Sequence, residues 1–303
     1  MRNLEIRVGA NHLNKFLYFF YTVSRGYSLP TSLTSWLLAF VYCLKHGGNI
    51  IYGLIALVGI AFAHLGTNLL DDCVDTIKKV PKQKCKTEYL DKNIFSFKSI
   101  IIGCVVYLGI ASITGFYLFL KCGWLVFGIA FITAIIILLY PRLNHYSLGE
   151  TAVGITYGLL LFSGMSVVMF GSIEPNMILI SIPVSLLVLN LLFAHSIMDF
   201  EFDSKNDKKT LCVKLGSPKK GLNLFILIGL LTILAHIILV QKLILPLISL
   251  ISLIPIIIYY ILAYKKLKIY IECRDNNNFM QIFKLVRNAS FLYNVLLALV
   301  ILC

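Results

Sequence analysis

Two groups of side chains have the residue types and the spacing to hold a divalent cation. The first group is Asn68, Asp72 and Asp75 in "HLGTNLLDDCVD", and the second is Asp199 and Asp203 in "MDFEFD". Residues three or four positions apart share one face of an α-helix, so each group forms a stripe of oxygen atoms. Carboxylates this close disfavour joint ionisation. A divalent cation removes that conflict, and hard oxygen ligands suit Mg²⁺, which commonly bridges protein carboxylates to a phosphate group.

Each acidic group follows a long apolar segment. The sequence of 303 residues is 59% hydrophobic and only 14% charged, with a mean hydropathy of +0.87. Continuous apolar runs of about 20 residues predict membrane-spanning helices, not barrel strands. We predict an all-α polytopic membrane protein in which residues 1–303 form a single domain, one bundle of nine transmembrane helices. The predicted spans are 29–45, 49–70, 98–120, 122–140, 148–172, 177–198, 221–240, 243–263 and 285–303.

The basic residues predict the orientation of the bundle. With a cytoplasmic N-terminus, 24 of the 27 Lys and Arg residues fall on the cytoplasmic side of the nine spans, and the others are Lys45, Lys121 and Lys242. This bias follows the positive-inside rule. It accounts for the net charge of +13 without a nucleic-acid partner. We expect a plasma (inner) membrane of bacterial type, with both acidic groups on its cytoplasmic side.

The N-terminal residues 1–28 mix charged and aromatic side chains and lack the apolar core of a secretory signal. We therefore expect residues 1–28 to lie along the membrane interface. The eight cysteines form no Cys-x-x-Cys pair, which argues against a disulfide framework or a zinc site.

Histidines extend both acidic stripes by one helical turn. His64 precedes Asn68 by four residues, and His195 precedes Asp199 by four, so the pattern recurs four spans later and hints at an internal repeat. Each histidine is either a site residue or a packing residue. Four lysines follow the acidic groups and are able to screen phosphate oxygens: Lys78, Lys79, Lys208 and Lys209.

These motifs resemble those of the UbiA superfamily of intramembrane prenyltransferases, which have nine transmembrane helices and two Asp-rich motifs, after the second and sixth helices. "NLLDDCVD" is similar to the first motif and "DFEFDSKNDKKTLCVKLG" to the second. The resemblance implies two Mg²⁺ ions that hold the diphosphate of a polyprenyl donor. The implied metal ligands are Asn68, Asp72, Asp75, Asp199 and Asp203, and the four aspartates are the implied catalytic residues.

Three further stretches resemble the 1,4-dihydroxy-2-naphthoate polyprenyltransferases of the menaquinone branch: "SRGYSLPTSL", "LGE" at 148–150 and "KKTLCVKLG". The chain departs from that branch at "HSIMD", where His195 and Met198 stand in place of an amide and a cation. The resemblance implies that an aromatic acceptor attacks the allylic cation left by the donor. The implied substrate-binding residues are Asn68, Arg25, Lys79, Lys209, Tyr140 and His195.

The sequence leaves several alternatives open. Tyr140 and Tyr146 shield the cation or orient the acceptor, or else they are interface-belt tyrosines. The acceptor is alternatively 4-hydroxybenzoate, another naphthoate, a haem, a chlorophyll precursor or a glycerol lipid. A membrane transporter is a more distant alternative, because transporters tend to carry ionisable groups near the bilayer midplane. Here the acidic groups lie at the predicted ends of spans.

Overall fold

The computed structural model describes residues 12–78, 94–143, 145–206, 208–273 and 279–303. The described chain is helical and holds no strand beyond one isolated bridge, so the prediction of an all-α fold is confirmed. The helices are α1 (His12–Tyr18), α2 (Pro30–Lys45), α3 (Ile50–Ile77), α4 (Phe97–Cys122), α5 (Trp124–Leu143), α6 (Gly149–Ile155), α7 (Leu161–Phe170), α8 (Pro175–Met198), α9 (Phe200–Lys205), α10 (Leu211–Leu215), α11 (Pro218–Gln241), α12 (Leu253–Cys273) and α13 (Phe279–Leu302).

Short turns of other helix types join several of these elements. The π-helical turn Phe19–Val23 follows α1, and the 3₁₀ turn Gly26–Ser28 precedes α2. The π-helical turn Thr156–Leu160 joins α6 to α7 in one continuous unit, and the 3₁₀ turn Leu247–Ser252 leads into α12. A π-helical turn within a longer helix is frequent at functional sites.

Within the described ranges, eight helices are long and apolar enough to cross a membrane: α3, α4, α5, the α6–α7 unit, α8, α11, α12 with its 3₁₀ turn, and α13. The protein is therefore an integral membrane protein. Helix α2 corresponds to the predicted span 29–45 and has 16 residues. Its crossing of the membrane, and with it the count of nine spans and the cytoplasmic N-terminus, stays a prediction.

Three span boundaries differ from the prediction by six residues or more, and the first is the end of α3, which continues to Ile77, beyond the predicted end at residue 70. Helix α12 continues to Cys273, ten residues beyond the predicted end of the span 243–263, and α13 begins at Phe279 instead of residue 285. The basic stretch after residue 263 stays helical because it still carries apolar side chains on the packed face. Leu267 on α12 and Ile282 on α13 are both buried.

The long helices follow one another around a closed ring. Each packs against the next in chain order, and α13 packs against α2, which closes the ring. Trp36 of α2 donates its indole N–H to the carbonyl oxygen of Gly53 on α3, at 3.0 Å. Gly66 lets α3 approach α4 closely, because a Cβ at this position would lie 2.6 Å from the side chain of Leu108. The ring brings α3 and α8, which carry the two acidic motifs, around one interior.

The exposed faces of α4 and α5 are strongly apolar. Trp124 is 75% exposed, and Ile113, Phe116 and Leu138 are also largely exposed. Apolar side chains on the outside of a helical bundle are what contact with lipid requires. The buried core instead joins α2, α7, α8, α11, α12 and α13.

The N-terminal segment packs against α3 and α4. Tyr18 and Val23 are buried in a small core with Leu69 and Ile100. Leu13 and Phe16 of α1 are exposed. Exposed apolar side chains are consistent with the interfacial position expected for residues 1–28, which stays a prediction. The packing places residue 25, at the end of this segment, beside the last turns of α3.

Candidate active site

The first acidic motif lines a cavity of about 250 Å³ inside the ring. Asn68, Asp71, Asp72 and Asp75 all face this cavity from the last turns of α3. Asp72 is only 3% exposed. The helical spacing of residues 68, 72 and 75 therefore brings these three side chains together, as predicted. Asp71 joins them although the predicted stripe omitted it.

Arg25 reaches the first motif from the turn that precedes α2. Its guanidinium donates a hydrogen bond to the Asp72 carboxylate, and its Nη1 atom lies 3.8 Å from Oδ2 of Asp71. The backbone of Arg25 is left-handed, with φ 54° and ψ 41°. A non-glycine residue in this conformation is uncommon and is retained where the surroundings hold it. The carbonyl of Ser24 accepts a hydrogen bond from Nδ2 of Asn68, at 3.1 Å, which anchors the turn on α3.

Asn68 therefore has one atom committed to the protein. Because Nδ2 donates to the Ser24 carbonyl, Oδ1 is the atom of Asn68 that suits a cation. His64, one turn earlier, is also committed. Its Nε2 lies 2.9 Å from Oγ of Ser28, and its Nδ1 lies 2.8 Å from Oγ of Ser32. The histidine thus holds the turn at residue 28 against α3.

The second acidic motif faces the same cavity from α8 and α9. Asp199 ends α8, and the chain turns there and continues as α9, which carries Asp203. The N–H of Asp203 donates to the carbonyl of Asp199, at 2.8 Å, so the helical register continues across the junction. Both carboxylates are buried and line the cavity. Folding thus brings together two motifs that lie more than 120 residues apart in the sequence.

His195 has surroundings unlike those of His64, although the two occupy equivalent positions in the sequence pattern. Its ring packs edge-on against two phenylalanines of α13, with ring centroids 5.6 Å from Phe279 and 4.7 Å from Phe283. His195 and Phe283 both line the cavity. The repeated sequence pattern therefore produces a serine-held histidine in α3 and an aromatic-packed histidine in α8.

The lysines that follow the second motif have different positions. Lys208 lines the cavity, and its N–H donates to the carbonyl of Asp203, at 2.9 Å. Lys209 is exposed and does not line the cavity, because its backbone pairs with Tyr146 and its carbonyl accepts the hydroxyl hydrogen of Ser147. Lys208 therefore has the position that the sequence motif suggested for Lys209. The other predicted lysine, Lys79, lies outside the described residues.

The tyrosines of the α5–α6 connection also differ from each other. Tyr140 lines the cavity, whereas Tyr146 is exposed. A further tyrosine, Tyr157, reaches the cavity from the π-helical turn between α6 and α7, with its ring centroid 5.2 Å from that of His64. Sequence analysis did not select Tyr157. The signal was weak, since an aromatic residue inside an apolar span usually packs in the core.

Glu150 is the fourth buried carboxylate at this site, beside Asp72, Asp199 and Asp203. It is 4% exposed, lies in the first turn of α6 and lines the cavity. Its Oε1 atom accepts hydrogen bonds from the Ser196 hydroxyl and from the N–H of Leu211, the latter at 3.3 Å. The sequence did not predict Glu150 as a site residue. The available signal was an acidic residue in the first turn of an apolar span.

The buried acids and the lysines perturb groups outside the spans. Burial, with the carboxylates of Glu150 and Asp203, raises the pKa of the Cys212 thiol to about 12. Burial, with the ammonium groups of Lys208 and Lys78, lowers the pKa of His145. The thiol therefore stays protonated and His145 stays neutral at pH 7. The carboxylates form a negative cavity with Lys208 at its edge, which suits a cation and an anionic ligand together.

A second, apolar cavity of about 630 Å³ adjoins the polar one. It is lined by side chains from α3, α4, α5 and the α6–α7 unit. Five residues line both cavities: His64, Thr67, Tyr140, Val153 and Tyr157. The site therefore has a charged compartment and an apolar compartment with a shared wall of histidine and tyrosine rings.

No three His, Cys, Asp or Glu side chains in the described part of the chain lie close enough to hold a metal ion by themselves. The acidic groups instead stand as separate sets on α3 and on α8–α9. Such an arrangement fits Mg²⁺, which usually keeps several waters and binds one or two carboxylates together with substrate phosphates.

Comparison with known families identifies the fold and the motifs together. The model of the UbiA prenyltransferase family matches residues 28–285, a range that contains both acidic motifs. The chain belongs to this family. The UbiA family consists of prenyltransferases, so the protein is an enzyme of that class. The superfamily predicted from the two motifs is thereby confirmed.

Solved structures have the same UbiA fold at low sequence identity. A digeranylgeranylglyceryl phosphate synthase matches with a TM-score of 0.64 and 15% identity, over 95% of this chain and 99% of that chain. A UbiA homolog from Aeropyrum pernix K1 matches with a TM-score of 0.64 and 15% identity, over 88% and 96%. A UbiA homolog from Archaeoglobus fulgidus bound to DMAPP and Mg²⁺ matches with a TM-score of 0.59 and 16% identity, over 93% and 99%. No curated sequence matches the chain.

Proposed function

We propose that this UbiA-family enzyme transfers a polyprenyl group from a polyprenyl diphosphate to 1,4-dihydroxy-2-naphthoate, in menaquinone biosynthesis. The observation that carries the proposal is the junction of the two compartments. Buried carboxylates from both motifs line a cavity that adjoins a larger apolar cavity. A polyprenyl diphosphate has the matching form, with a charged head joined to a long apolar tail.

Mg²⁺ fits the residues of the charged compartment. Asn68, Asp72 and Asp75 would hold one ion on the α3 side, and Asp199 and Asp203 would hold a second ion on the other side. When bound, Mg²⁺ supplies Lewis-acid stabilisation of the charge that develops on the departing diphosphate. The homolog from Archaeoglobus fulgidus bound to DMAPP and Mg²⁺ supports this choice of donor and ion.

Two cationic side chains complete the diphosphate site in this proposal. Arg25 contacts the Asp72 carboxylate, and Lys208 lines the same cavity. Both bring positive charge to the position where the leaving group gains negative charge, the kind of pre-arranged stabilisation that accelerates such reactions most. We assign the diphosphate to Arg25 and Lys208, and we retain Lys79 as a prediction from the motif.

The shared wall of the two cavities is where the reacting carbon would lie. Departure of diphosphate leaves an allylic cation at the head of the tail. Tyr140 and Tyr157 present aromatic rings at this wall, and aromatic faces stabilise cations. Burial of the tail in the apolar cavity excludes water that would otherwise quench the cation. An electron-rich ring then attacks at carbon and loses carbon dioxide.

The acceptor assignment depends on the resemblance of three stretches to the menaquinone branch, quoted above. His195 and Phe283 line the cavity beside Asp199 and offer aromatic surfaces to a flat acceptor. The distribution of Lys and Arg supports a position of this site on the cytoplasmic side, and we propose a plasma membrane of bacterial type. We also propose that residues 1–303 form a single domain.

The test uses purified protein in lipid with Mg²⁺, a labelled polyprenyl diphosphate and 1,4-dihydroxy-2-naphthoate. We expect a prenylated, decarboxylated product that disappears with EDTA. Parallel reactions contain 4-hydroxybenzoate or a glycerol phosphate lipid as the acceptor. Product with one of these alone would contradict the naphthoate assignment and keep the prenyl transfer. A protein that neither binds the donor with Mg²⁺ nor forms any product would overturn the proposed function.

A further inference from the structure

Glu150 has one oxygen that is hydrogen-bonded within the protein and one without a donor among the described residues. Ser196 and the Leu211 N–H both bond to Oε1. Among the described residues, no group hydrogen-bonds to Oε2, although this atom is buried and the side chain lines the polar cavity. A buried carboxylate oxygen without a donor costs about 1–3 kcal/mol or more. A ligand that donates a hydrogen bond to Oε2 would remove this cost.

The surroundings of Glu150 fix its direction. The Ser196 hydroxyl approaches from α8, three residues before Asp199, and the Leu211 N–H approaches from the start of α10. The hydroxyl of the neighbouring residue Ser147 donates to the Lys209 carbonyl, at 2.5 Å. Glu150 therefore links the start of α6 to α8 and to the segment that follows the second motif. Its side chain has little rotational freedom.

Three chemical groups enter this cavity in the proposed reaction: the metal ion, the diphosphate and the acceptor. The metal ion is assigned above to the two acidic motifs, and Glu150 belongs to neither of them. The diphosphate is an anion and accepts hydrogen bonds instead of donating them. The acceptor is left as the ligand with a hydroxyl hydrogen for Oε2.

We infer that Oε2 of Glu150 binds the hydroxyl of the acceptor next to the attacked ring carbon and takes its proton during attack. This inference rests on the proposed function. The C–O bond of the donor breaks and its electron pair leaves with the diphosphate. The ring carbon that bears the carboxylate forms the new C–C bond with the electrons of its ring double bond, the electron pair of the O–H bond forms a C=O bond, and the proton passes to Oε2. Loss of carbon dioxide returns an electron pair to the ring, and Glu150 returns the proton to the oxygen.

The inference assigns two roles to one atom. As a hydrogen-bond acceptor, Oε2 selects acceptors that carry a hydroxyl at this position and orients the ring carbon toward the donor. As a general base, it removes positive charge from the acceptor as the C–C bond forms, a contribution of about 10²–10⁴-fold in rate for well-positioned groups. Asp72, Asp199 and Asp203 remain the proposed ligands of the metal that holds the diphosphate.

The test combines a protein change with a ligand change. Binding of 1,4-dihydroxy-2-naphthoate and of its 1-methyl ether is measured in lipid with Mg²⁺ and inorganic diphosphate, for the wild-type protein and for Glu150→Gln. Glutamine keeps the shape and an oxygen for Ser196 and Leu211. We expect the wild-type protein to bind the hydroxyl compound about tenfold more tightly than the ether, and the variant to bind both within about twofold, because only interacting groups give such non-additivity.

Turnover supplies the second readout. We expect Glu150→Gln to lower kcat by about 10²-fold or more, while the affinity for the polyprenyl diphosphate with Mg²⁺ changes less than about twofold. Ser196→Ala serves as the comparison, because it removes a donor to Oε1 and leaves Oε2 in place. It should keep the wild-type preference for the hydroxyl compound.

Other outcomes overturn the inference. If Glu150→Gln keeps the preference for the hydroxyl compound, Glu150 only ties the two segments together. The same conclusion follows if Glu150→Gln and Ser196→Ala weaken donor and acceptor binding equally. If the wild-type protein itself forms no prenylated naphthoate, the proposed acceptor is wrong, and the role of Glu150 is rejected with it. This result is seen without any variant, so it is distinct from the outcomes above.

Discussion

Arg25 forms an ion pair with Asp72 across 47 residues of sequence, through a hydrogen bond from its guanidinium to the carboxylate. Asp72 is the central acid of the first motif and is almost fully buried. The charge of this acid is thus balanced by a side chain of the protein, and Arg25 is held at the cavity that the acid lines.

The first prediction concerns the stability of this pair. Arg25→Gln removes the cation that pairs with the buried Asp72 carboxylate, which costs on the order of 2 kcal/mol or more. We expect a lower unfolding temperature for the ligand-free protein in lipid. Asp72→Asn removes the charge that needs pairing, so the double variant should recover part of the loss. Additive losses in the three variants, measured by thermal unfolding, would contradict a direct pair.

The second prediction concerns the two acidic motifs. Asp72→Asn and Asp199→Asn keep the shape of each side chain and remove a negative oxygen that suits Mg²⁺. We expect each change to lower Mg²⁺-dependent turnover by about 10³-fold, with the protein still folded. Glu201→Gln is the matched control, because Glu201 lies on α9 between the two acids of the second motif but is exposed and does not line the cavity. Retained activity in both Asp variants would remove the two-motif mechanism.

The third prediction separates two adjacent lysines. Lys208 lines the cavity, whereas the side chain of Lys209 is exposed. We expect Lys208→Ala to weaken binding of the polyprenyl diphosphate about tenfold, since the ammonium group of Lys208 would contact the diphosphate directly. Lys209→Ala keeps the backbone pairing with Tyr146 and should weaken binding at most about twofold. Binding titrations in lipid measure both, and the reverse order would restore Lys209 as the diphosphate ligand.

The fourth prediction concerns the apolar cavity as the chamber for the tail. Gly115 on α4 lines this cavity, and a Cβ built at this position has no atom within 4 Å. Leucine at residue 115 therefore extends into open space and should shorten the chamber. We expect Gly115→Leu to raise the KM of long polyprenyl donors about tenfold while a short donor such as DMAPP is affected less than about twofold, because a few methylene groups change binding by this amount.

Gly109 provides the control for that experiment. It lies on the same helix, a Cβ there also meets no atom within 4 Å, and it does not line the cavity. Gly109→Leu changes helix propensity and bulk to the same extent as Gly115→Leu. An equal loss of long-donor activity in both variants would show that α4 itself, and not the volume of the chamber, is responsible.

Local spacing was enough to predict much of this protein. The apolar runs predicted the helical bundle, and the intervals between residues 68, 72 and 75 and between 199 and 203 predicted two sets of acids on helix faces. These predictions succeed because helical geometry is set within one segment, and because bilayer thickness limits the length of each span. The family resemblance followed from the same local motifs.

Tertiary packing decided the remaining features. Lys208, not Lys209, reaches the cavity because the backbone of residue 209 pairs with a loop more than 60 residues away. Asp72 faces Arg25, and Glu150 is held by Ser196 and Leu211, through contacts between segments that are distant in the chain. The sequence alone determined which residues carry charge at the ends of the spans. Only the fold decided which of them share a cavity, because that depends on the packing of helices against one another and not on spacing within any one of them.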